Sequence, residues 1–129
     1  GEGWGLASLD TLLWMSNGSD TLVARDGAFR VVRRVPVRWN GRPLPRLNEL
    51  AAARGKIVAN GWYSDSLFVI DPASGRVTAV LDGAELARRS GRRSHHDVMN
   101  GVAWDPARDA FYLTGKNWPR MFRVTLPPF

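Results

Sequence analysis

The sequence contains no cysteine, and this absence excludes disulfide bonds and metal sites built from thiolates. It also contains no apolar run close to the ~18 residues that a membrane-spanning helix needs, so we predict no membrane partner. Histidine is scarce, since His95 and His96 are the only two. Without a third histidine, the segment His95-His96-Asp97 is better explained as a surface loop than as half of a metal site, and we predict no metal.

Lysine is nearly absent, although the chain is basic. The net charge of +6 comes mostly from arginine, which outnumbers lysine by 16 to 2. A basic surface can bind an anionic partner such as nucleic acid. The arginines are scattered, however, apart from Arg33-Arg34 and the two pairs Arg88-Arg89 and Arg92-Arg93. This pattern favours an ordinary solvated face, and we predict no nucleic-acid partner.

The chain of 129 residues is long enough for one compact domain, and it contains three copies of one β unit. The first strands of the copies align as Trp4-Gly5-Leu6-Ala7, Asn48-Glu49-Leu50-Ala51 and Asn100-Gly101-Val102-Ala103. Runs rich in Val, Leu, Phe, Trp and Tyr predict second strands at 12–16, 56–60 and 110–114. Third strands are predicted at 21–25, 66–70 and 121–125, and fourth strands at 29–35 and 76–81.

Turn residues separate these strands, notably Asp26-Gly27 and Asp71-Pro72-Ala73-Ser74-Gly75. Four antiparallel strands repeating every ~40–50 residues are typical of a β-propeller blade, with a β-sandwich as the rival architecture. We therefore predict an all-β fold, a partial β-propeller whose four-stranded antiparallel blades cover approximately 1–36, 37–82 and 97–129. Residues 83–96 are predicted to form an inter-blade loop, with at most one or two helical turns near residues 84–88.

Three blades cannot close a ring, because propellers use roughly four to eight. The third copy also has no fourth strand of its own. We therefore expect either that blades are missing before this chain, or that two copies self-associate into a six-bladed ring.

Some positions are apolar in all three copies, and these are predicted to form the core: Leu6, Leu50, Val102, Leu13, Ile57, Phe111, Leu22, Leu67 and Met121. Two other sets differ between copies, one at the start of the first strand and one just past the second. They are Trp4, Asn48 and Asn100, and Asn17, Trp62 and Lys116. Because neighbouring strands run antiparallel, both sets should lie at one mouth of the central channel, and the sequence predicts a functional site there.

Structural explanations exist for each of these residues. Trp4 and Trp62 could pack along the edge of the sheets, the two asparagines could satisfy backbone groups at strand entries, and Lys116 could be solvated. The remaining tryptophans are assigned to packing: Trp14, Trp39, Trp104 and Trp118.

Several motifs in order resemble the plant and bacterial type of glutaminyl cyclase (glutaminyl-peptide cyclotransferase). They are Glu2-Gly3-Trp4-Gly5-Leu6, Leu47-Asn48-Glu49-Leu50, Ala59-Asn60-Gly61-Trp62, Asp71-Pro72-Ala73-Ser74-Gly75-Arg76-Val77, Asn100-Gly101-Val102-Ala103 and Thr114-Gly115-Lys116-Asn117-Trp118-Pro119. The resemblance implies a five-bladed propeller that converts N-terminal glutamine of peptides into pyroglutamate with release of ammonia. It implies no catalytic metal or other cofactor.

The resemblance also implies roles for individual residues. Trp4 and Trp62 would wall the substrate pocket, and Asn48 and Lys116 would be polar catalytic residues. Together with the repeat argument, this predicts Asn48 and Lys116 as catalytic and Trp4, Trp62 and Asn100 as substrate-binding. The partner would be a peptide or protein with N-terminal glutamine.

Two motifs of that family are not found in this sequence. One is similar to Phe-Thr-Gln-Gly-Leu, and the other is similar to Glu-Ser-Thr-Gly and carries the glutamate thought to handle protons. We therefore expect this chain to be the C-terminal three blades of a secreted or periplasmic protein, with little cyclase activity alone. The alternative is a non-catalytic propeller that binds peptides or proteins.

Overall fold

The computed structural model describes residues 2–129, and its first sheet is a four-stranded antiparallel meander. Its strands lie in the order in which they occur in the chain: β1 (Gly5–Leu9), β2 (Leu12–Ser16), β3 (Thr21–Arg25) and β4 (Val31–Pro36). The turn from β3 to β4 is built on Asp26, whose Oδ1 accepts the N–H groups of Ala28 and Arg30, each at 2.9 Å. The predicted strands 12–16 and 21–25 and the Asp-Gly turn are thus confirmed.

A short hairpin leads into the second sheet. The hairpin consists of β5 (Arg38–Trp39) and β6 (Arg42–Pro43). The second sheet is again four-stranded and antiparallel, with β7 (Leu47–Ala53), β8 (Lys56–Gly61), β9 (Ser66–Ile70) and β10 (Val77–Asp82). The turn before β10 depends on Asp71, whose Oδ2 accepts the Ser74 hydroxyl at 2.6 Å while its carbonyl accepts the Gly75 N–H at 2.8 Å.

The third sheet has three strands and follows the predicted helical segment. The helix α1 (Ala84–Arg89) is followed by β11 (Met99–Asp105), β12 (Ala110–Gly115) and β13 (Phe122–Val124). The short helix and the third copy without a fourth strand are both confirmed. In the described part of the chain, no helix is long and apolar enough to cross a membrane.

The three sheets pack face to face in series. The first strand of each sheet contacts the first strand of the next, β1 against β7 and β7 against β11. One buried cluster fills the space between the first and second sheets around Trp14, Leu22, Leu50 and Ile57. A second fills the space between the second and third sheets around Val58, Leu67, Val102 and Phe111. The result is a propeller-like all-β arrangement.

Two of the predicted core residues are exposed, so their assignment is wrong. Leu6 is 53% exposed and Met121 is 65% exposed, whereas Leu13 is half-buried and the other six are buried. Leu6 neighbours buried Ala7 on β1, so its side chain points to the opposite face, against which no sheet packs within residues 2–129. Met121 lies before β13 at the edge of the last sheet.

The tryptophans assigned to packing are not all buried. Trp14 and Trp118 are buried, and Trp104 is half-buried with its indole N–H donating to Asp109 at 2.9 Å. Trp39 is 42% exposed, and its ring meets Phe68 edge-on at 5.6 Å. Trp39 thus packs on the second sheet through Phe68 but stays outside the core, because it lies on the short β5–β6 hairpin.

Arg54 ties the second sheet to the third and to the C-terminal segment. Its guanidinium makes two hydrogen bonds to Asp109, at 3.0 and 2.8 Å, and donates to the carbonyl of Pro127 at 2.8 Å. It also lies 4.5 Å from the Phe129 ring centroid. The Arg54 hydrogen bonds, followed by the one from Trp104, hold the pKa of the Asp109 carboxyl below its usual value.

We expect Arg54→Ala to lower the melting temperature at pH 7 and to weaken its dependence on acid. A carboxyl whose pKa is lowered by folding stabilises the fold above its unfolded pKa of about 3.9, and this stabilisation is lost as the pH falls through the folded value. The variant loses the larger part of the Asp109 contribution and keeps the part due to Trp104, so its melting temperature should fall less between pH 7 and pH 3 than that of the unmodified chain. Thermal unfolding at both pH values measures this, with Arg88→Ala, on exposed α1, as the control. If the melting temperatures of Arg54→Ala and of the unmodified chain fell equally with pH, the claim that Arg54 lowers the pKa of Asp109 would be contradicted.

Candidate functional site

The candidate site lies at one end of the sheets, which we call the rim and define by Trp4, Asn48, Trp62, Asn100 and Lys116. The first strand of each sheet starts at this end and the second strand finishes there. The pairs of facing residues at this end are Gly5 with Ser16, Leu47 with Gly61, and Met99 with Gly115. Each of the five rim residues directly adjoins a residue of one of these pairs.

Trp4 and Trp62 come from different sheets and contact each other at the rim. Their ring centroids are 5.4 Å apart and the rings are inclined at 85°. Edge-to-face rings form two perpendicular walls of a corner, rather than two parallel plates around a ligand. The Trp4 indole N–H donates to the Glu2 carboxylate at 2.9 Å, which fixes the orientation of the ring.

Gly18 provides the space for the Trp4 ring. A Cβ atom at Gly18 would lie 2.6 Å from the indole carbons, and its φ of +81° also favours glycine. Asn17, Trp62 and Lys116 each directly follow the last residue of β2, β8 or β12. The predicted position of these three residues, just past the second strand of each copy, is therefore confirmed.

Asn48 and Asn100 occupy the same structural irregularity in their sheets. In β7, Asn48 and Glu49 together oppose the single residue Asn60, and in β11, Asn100 and Gly101 oppose Thr114. Such bulges bend a strand and redirect its side chains, and they are frequent beside active sites. The pairing of β1 with β2 shows no such shift.

Asn48 is held against the segment that carries Trp4. The Ser16 hydroxyl donates to the Asn48 carbonyl at 2.5 Å, across the boundary between the first and second sheets. The same carbonyl lies so close to Gly5 that a Cβ atom there would be only 2.2 Å from it. A glycine next to Trp4 therefore permits the approach of Asn48 to the tryptophan corner.

Two amides, that of Asn100 at the rim and that of Asn60 behind it, have unused hydrogen-bonding groups. Asn60 is fully buried, and its Oδ1 accepts the Gly101 N–H at 3.0 Å. That bond fixes which end of the amide faces Gly101, because an N–H donor needs the oxygen. Within residues 2–129, the Asn60 Nδ2 and the Asn100 Oδ1 are shielded from solvent and have no partner. A bound water or ligand is the usual partner of such groups.

Lys116 follows β12, and its backbone N–H donates to the Val98 carbonyl at 2.9 Å. The other lysine, Lys56, pairs with Asp71 at 3.5 Å, whereas no carboxylate among the described residues lies within ion-pair distance of Lys116. Its charge is thus free to act on another anionic group. No side-chain hydrogen bond or ring contact in residues 2–129 joins it directly to the tryptophan corner.

The sequence arguments missed an aromatic neighbour of the corner. Tyr63 directly follows Trp62, their ring centroids are 4.9 Å apart, and the Tyr63 hydroxyl lies 2.8 Å from Nδ1 of His96. The signal available in the sequence was the adjacency of the two aromatic residues. In the described part of the chain, no group of three histidine or acidic side chains converges as a metal site would.

The stacked sheets and the rim define a class: propeller-like all-β proteins with aromatic and amide side chains gathered at one end of the sheets. The family model described as glutamine cyclotransferase matches residues 1–126, and the chain belongs to this family. It is 36% identical to a glutaminyl-peptide cyclotransferase of Arabidopsis thaliana over 129 aligned residues, which cover 97% of this chain and 40% of that protein.

Two solved structures resemble this chain, one in sequence and fold and the other in fold alone. The glutaminyl cyclase of Myxococcus xanthus superimposes with a TM-score of 0.92 at 38% identity, over 95% of this chain and 54% of that one. The hydrazine synthase of Kuenenia stuttgartiensis superimposes with a TM-score of 0.64 at 16% identity, over 95% of this chain and 32% of that one, which is a likeness of fold alone. This chain thus spans about half or less of the length of its relatives.

Proposed function

We propose that residues 1–129 form about three of the five blades of a glutaminyl-peptide cyclotransferase and carry one side of its active site. The reaction converts the N-terminal glutamine of a peptide into pyroglutamate and ammonia. The observation that carries the proposal is the perpendicular contact of Trp4 with Trp62, at the rim where Asn48 is held beside Gly5. The family match, and the names of the Arabidopsis and Myxococcus proteins, support it.

The chemistry is an attack within one residue. The α-amine nitrogen bonds to the side-chain carbonyl carbon, the bond from that carbon to the amide nitrogen breaks, and a proton passes from the amine to the departing ammonia. Because the nucleophile is tethered, holding the folded conformer supplies much of the rate enhancement. The Trp4–Trp62 corner suits this task, since two walls at 85° limit how the glutamine chain can extend.

Polar groups at the rim suit the charge that develops on oxygen. The Asn48 amide N–H can donate to the carbonyl oxygen as it becomes an oxyanion, and the Lys116 ammonium can stabilise the same charge. Asn100 is half-buried at the same rim, and its amide group can hydrogen-bond the substrate amine or amide.

The carboxylate that transfers the proton is not assigned to this chain. Glu2 accepts the Trp4 indole N–H, and Glu49 accepts the N–H of its neighbour Leu50 at 3.0 Å. Both contacts are structural, and neither residue matches the glutamate motif of the family. We therefore propose that the chain alone binds glutaminyl peptides and releases little ammonia.

A chimera tests this function. Residues 1–129 replace the matching portion of the Myxococcus xanthus enzyme, and ammonia release from a glutaminyl peptide is followed by a coupled assay. We expect turnover by the chimera and little by residues 1–129 alone. Peptide binding without turnover by the chimera would favour a non-catalytic binding module. Turnover by residues 1–129 alone, at the rate of the intact relative, would refute the inference that this chain lacks the proton-transferring carboxylate.

A further inference from the structure

A row of exposed rings continues from the tryptophan corner along the rim. Beyond the Trp62–Tyr63 contact, Tyr63 meets His96 edge-on at 6.0 Å, and His96 stacks against His95 at 4.0 Å. The Tyr63 hydroxyl and His96 are also joined by a hydrogen bond of 2.8 Å. Trp62 therefore belongs both to the corner with Trp4 and to this second row.

Tyr63 has a backbone conformation that its residue type disfavours. The Ser64 N–H donates to the Gly61 carbonyl at 3.0 Å, which closes a four-residue turn with Trp62 and Tyr63 at its centre. Tyr63 has a φ of +62° in the third position, where such turns favour glycine. A bulky residue there is strained, and strain of this kind concentrates at functional sites.

Core packing does not account for this strain, because Tyr63 is 47% exposed. Its ring is one wall of a depression of about 190 Å³, which is also lined by Asp65, Arg92, His95 and Val98. The charges in this depression are paired, since Arg92 donates twice to Asp65, at 3.1 and 3.3 Å. An uncharged, flat side chain fits such walls better than an ionic one.

We propose that Tyr63 and His96 form a subsite for the side chain of the residue that follows the N-terminal glutamine, with a preference for an aromatic side chain there. The proposal rests on the proposed function, which locates the glutamine at the Trp4–Trp62 corner. Consecutive residues of an extended peptide are separated by about 3.3–3.6 Å. The ring of Tyr63 is 4.9 Å from that of Trp62, so a peptide that leaves the corner beside Trp62 passes Tyr63 within one or two residues.

The test is calorimetric binding of two dipeptide amides, Gln-Phe-amide and Gln-Ala-amide, to residues 1–129. We expect the phenylalanine peptide to bind about 3- to 10-fold more tightly, which is the usual contribution of one aromatic pair. Tyr63→Gly should abolish this preference. Because glycine relieves the positive φ, this variant should also fold well, and thermal unfolding measures that.

Trp39→Ala is the matched control, since Trp39 is another exposed aromatic residue and its ring contacts Phe68 rather than Tyr63 or His96. It should retain the preference for Gln-Phe-amide. Equal binding of both peptides to the unmodified chain, or an unchanged preference in Tyr63→Gly, would overturn the subsite. Gly-Phe-amide and Gly-Ala-amide test the proposed function separately from the subsite. If the glutamine site exists, each glutamine peptide binds more tightly than the glycine peptide with the same second residue, whether or not the subsite exists.

Discussion

Gly5→Ala is expected to destabilise the chain by about 3 kcal/mol and to abolish binding of glutaminyl peptides. The added Cβ would lie 2.2 Å from the Asn48 carbonyl oxygen and 2.9 Å from the Glu49 Cα. Both are backbone atoms of β7, so no side chain can rotate away and the two sheets must separate. Forcing extra volume into a packed contact typically costs ~1–3 kcal/mol, and a backbone clash lies at the upper end.

Binding is lost for a geometric reason. Displacing β1 from β7 moves Trp4 away from both Asn48 and Trp62, and it breaks the bond from the Ser16 hydroxyl to the Asn48 carbonyl. Urea unfolding gives the stability, and calorimetry with a glutaminyl peptide gives the binding. Gly27→Ala is the control, because no atom lies within 4 Å of a Cβ there. If Gly5→Ala matched Gly27→Ala in both measurements, the close approach of the two sheets would be refuted.

Lys116→Ala is expected to reduce kcat of the Myxococcus chimera by about 10²- to 10³-fold. Removing one group that stabilises an oxyanion has an effect of this size, because the site is preorganised and poor in water. Since no carboxylate in the described chain neutralises Lys116, its full charge is available to the reaction. KM should change much less than kcat, because the charge on oxygen is greatest in the transition state.

Two further variants make this result specific. Arg88→Ala removes a positive charge from exposed α1, where Arg88 is paired with Glu85, and should leave kcat unchanged. Lys116→Arg retains the charge but places it differently, so it should recover only part of the rate. If Lys116→Ala had the same kcat as Arg88→Ala, Lys116 would not be a catalytic residue.

Local features of the fold could be predicted from the sequence. The strand at 66–70 and the turn before β10 were predicted as they are observed, because a continuous run of strand-forming apolar residues and the side-chain bonds of Asp71 act within a few residues. The repeat likewise predicted that Trp4, Asn48, Trp62, Asn100 and Lys116 lie at one end of the sheets. That prediction needed only the antiparallel order of neighbouring strands.

Features that depend on contacts between sheets could not be predicted. The two bulges shift Asn48 and Asn100 relative to Trp4, and nothing in the alignment of the three copies indicates an extra residue in only two of them. The role of Gly5 and the strain at Tyr63 likewise follow from packing and dihedral angles. Leu6 was predicted as core for a related reason, since a repeat identifies a position as apolar without showing which face has a neighbouring sheet.

The central claim is that Trp4 and Trp62 form the walls of one glutamine site, and the indole N–H signals of the ¹⁵N-labelled chain test it most directly. On titration with a glutaminyl peptide, the signals of Trp4 and Trp62 should shift together along one binding curve, and those of buried Trp14 and Trp118 should not. A glycyl peptide of the same length should move neither pair. Shifts of Trp4 and Trp62 with different affinities, or no response of either to the glutaminyl peptide, would contradict the shared site.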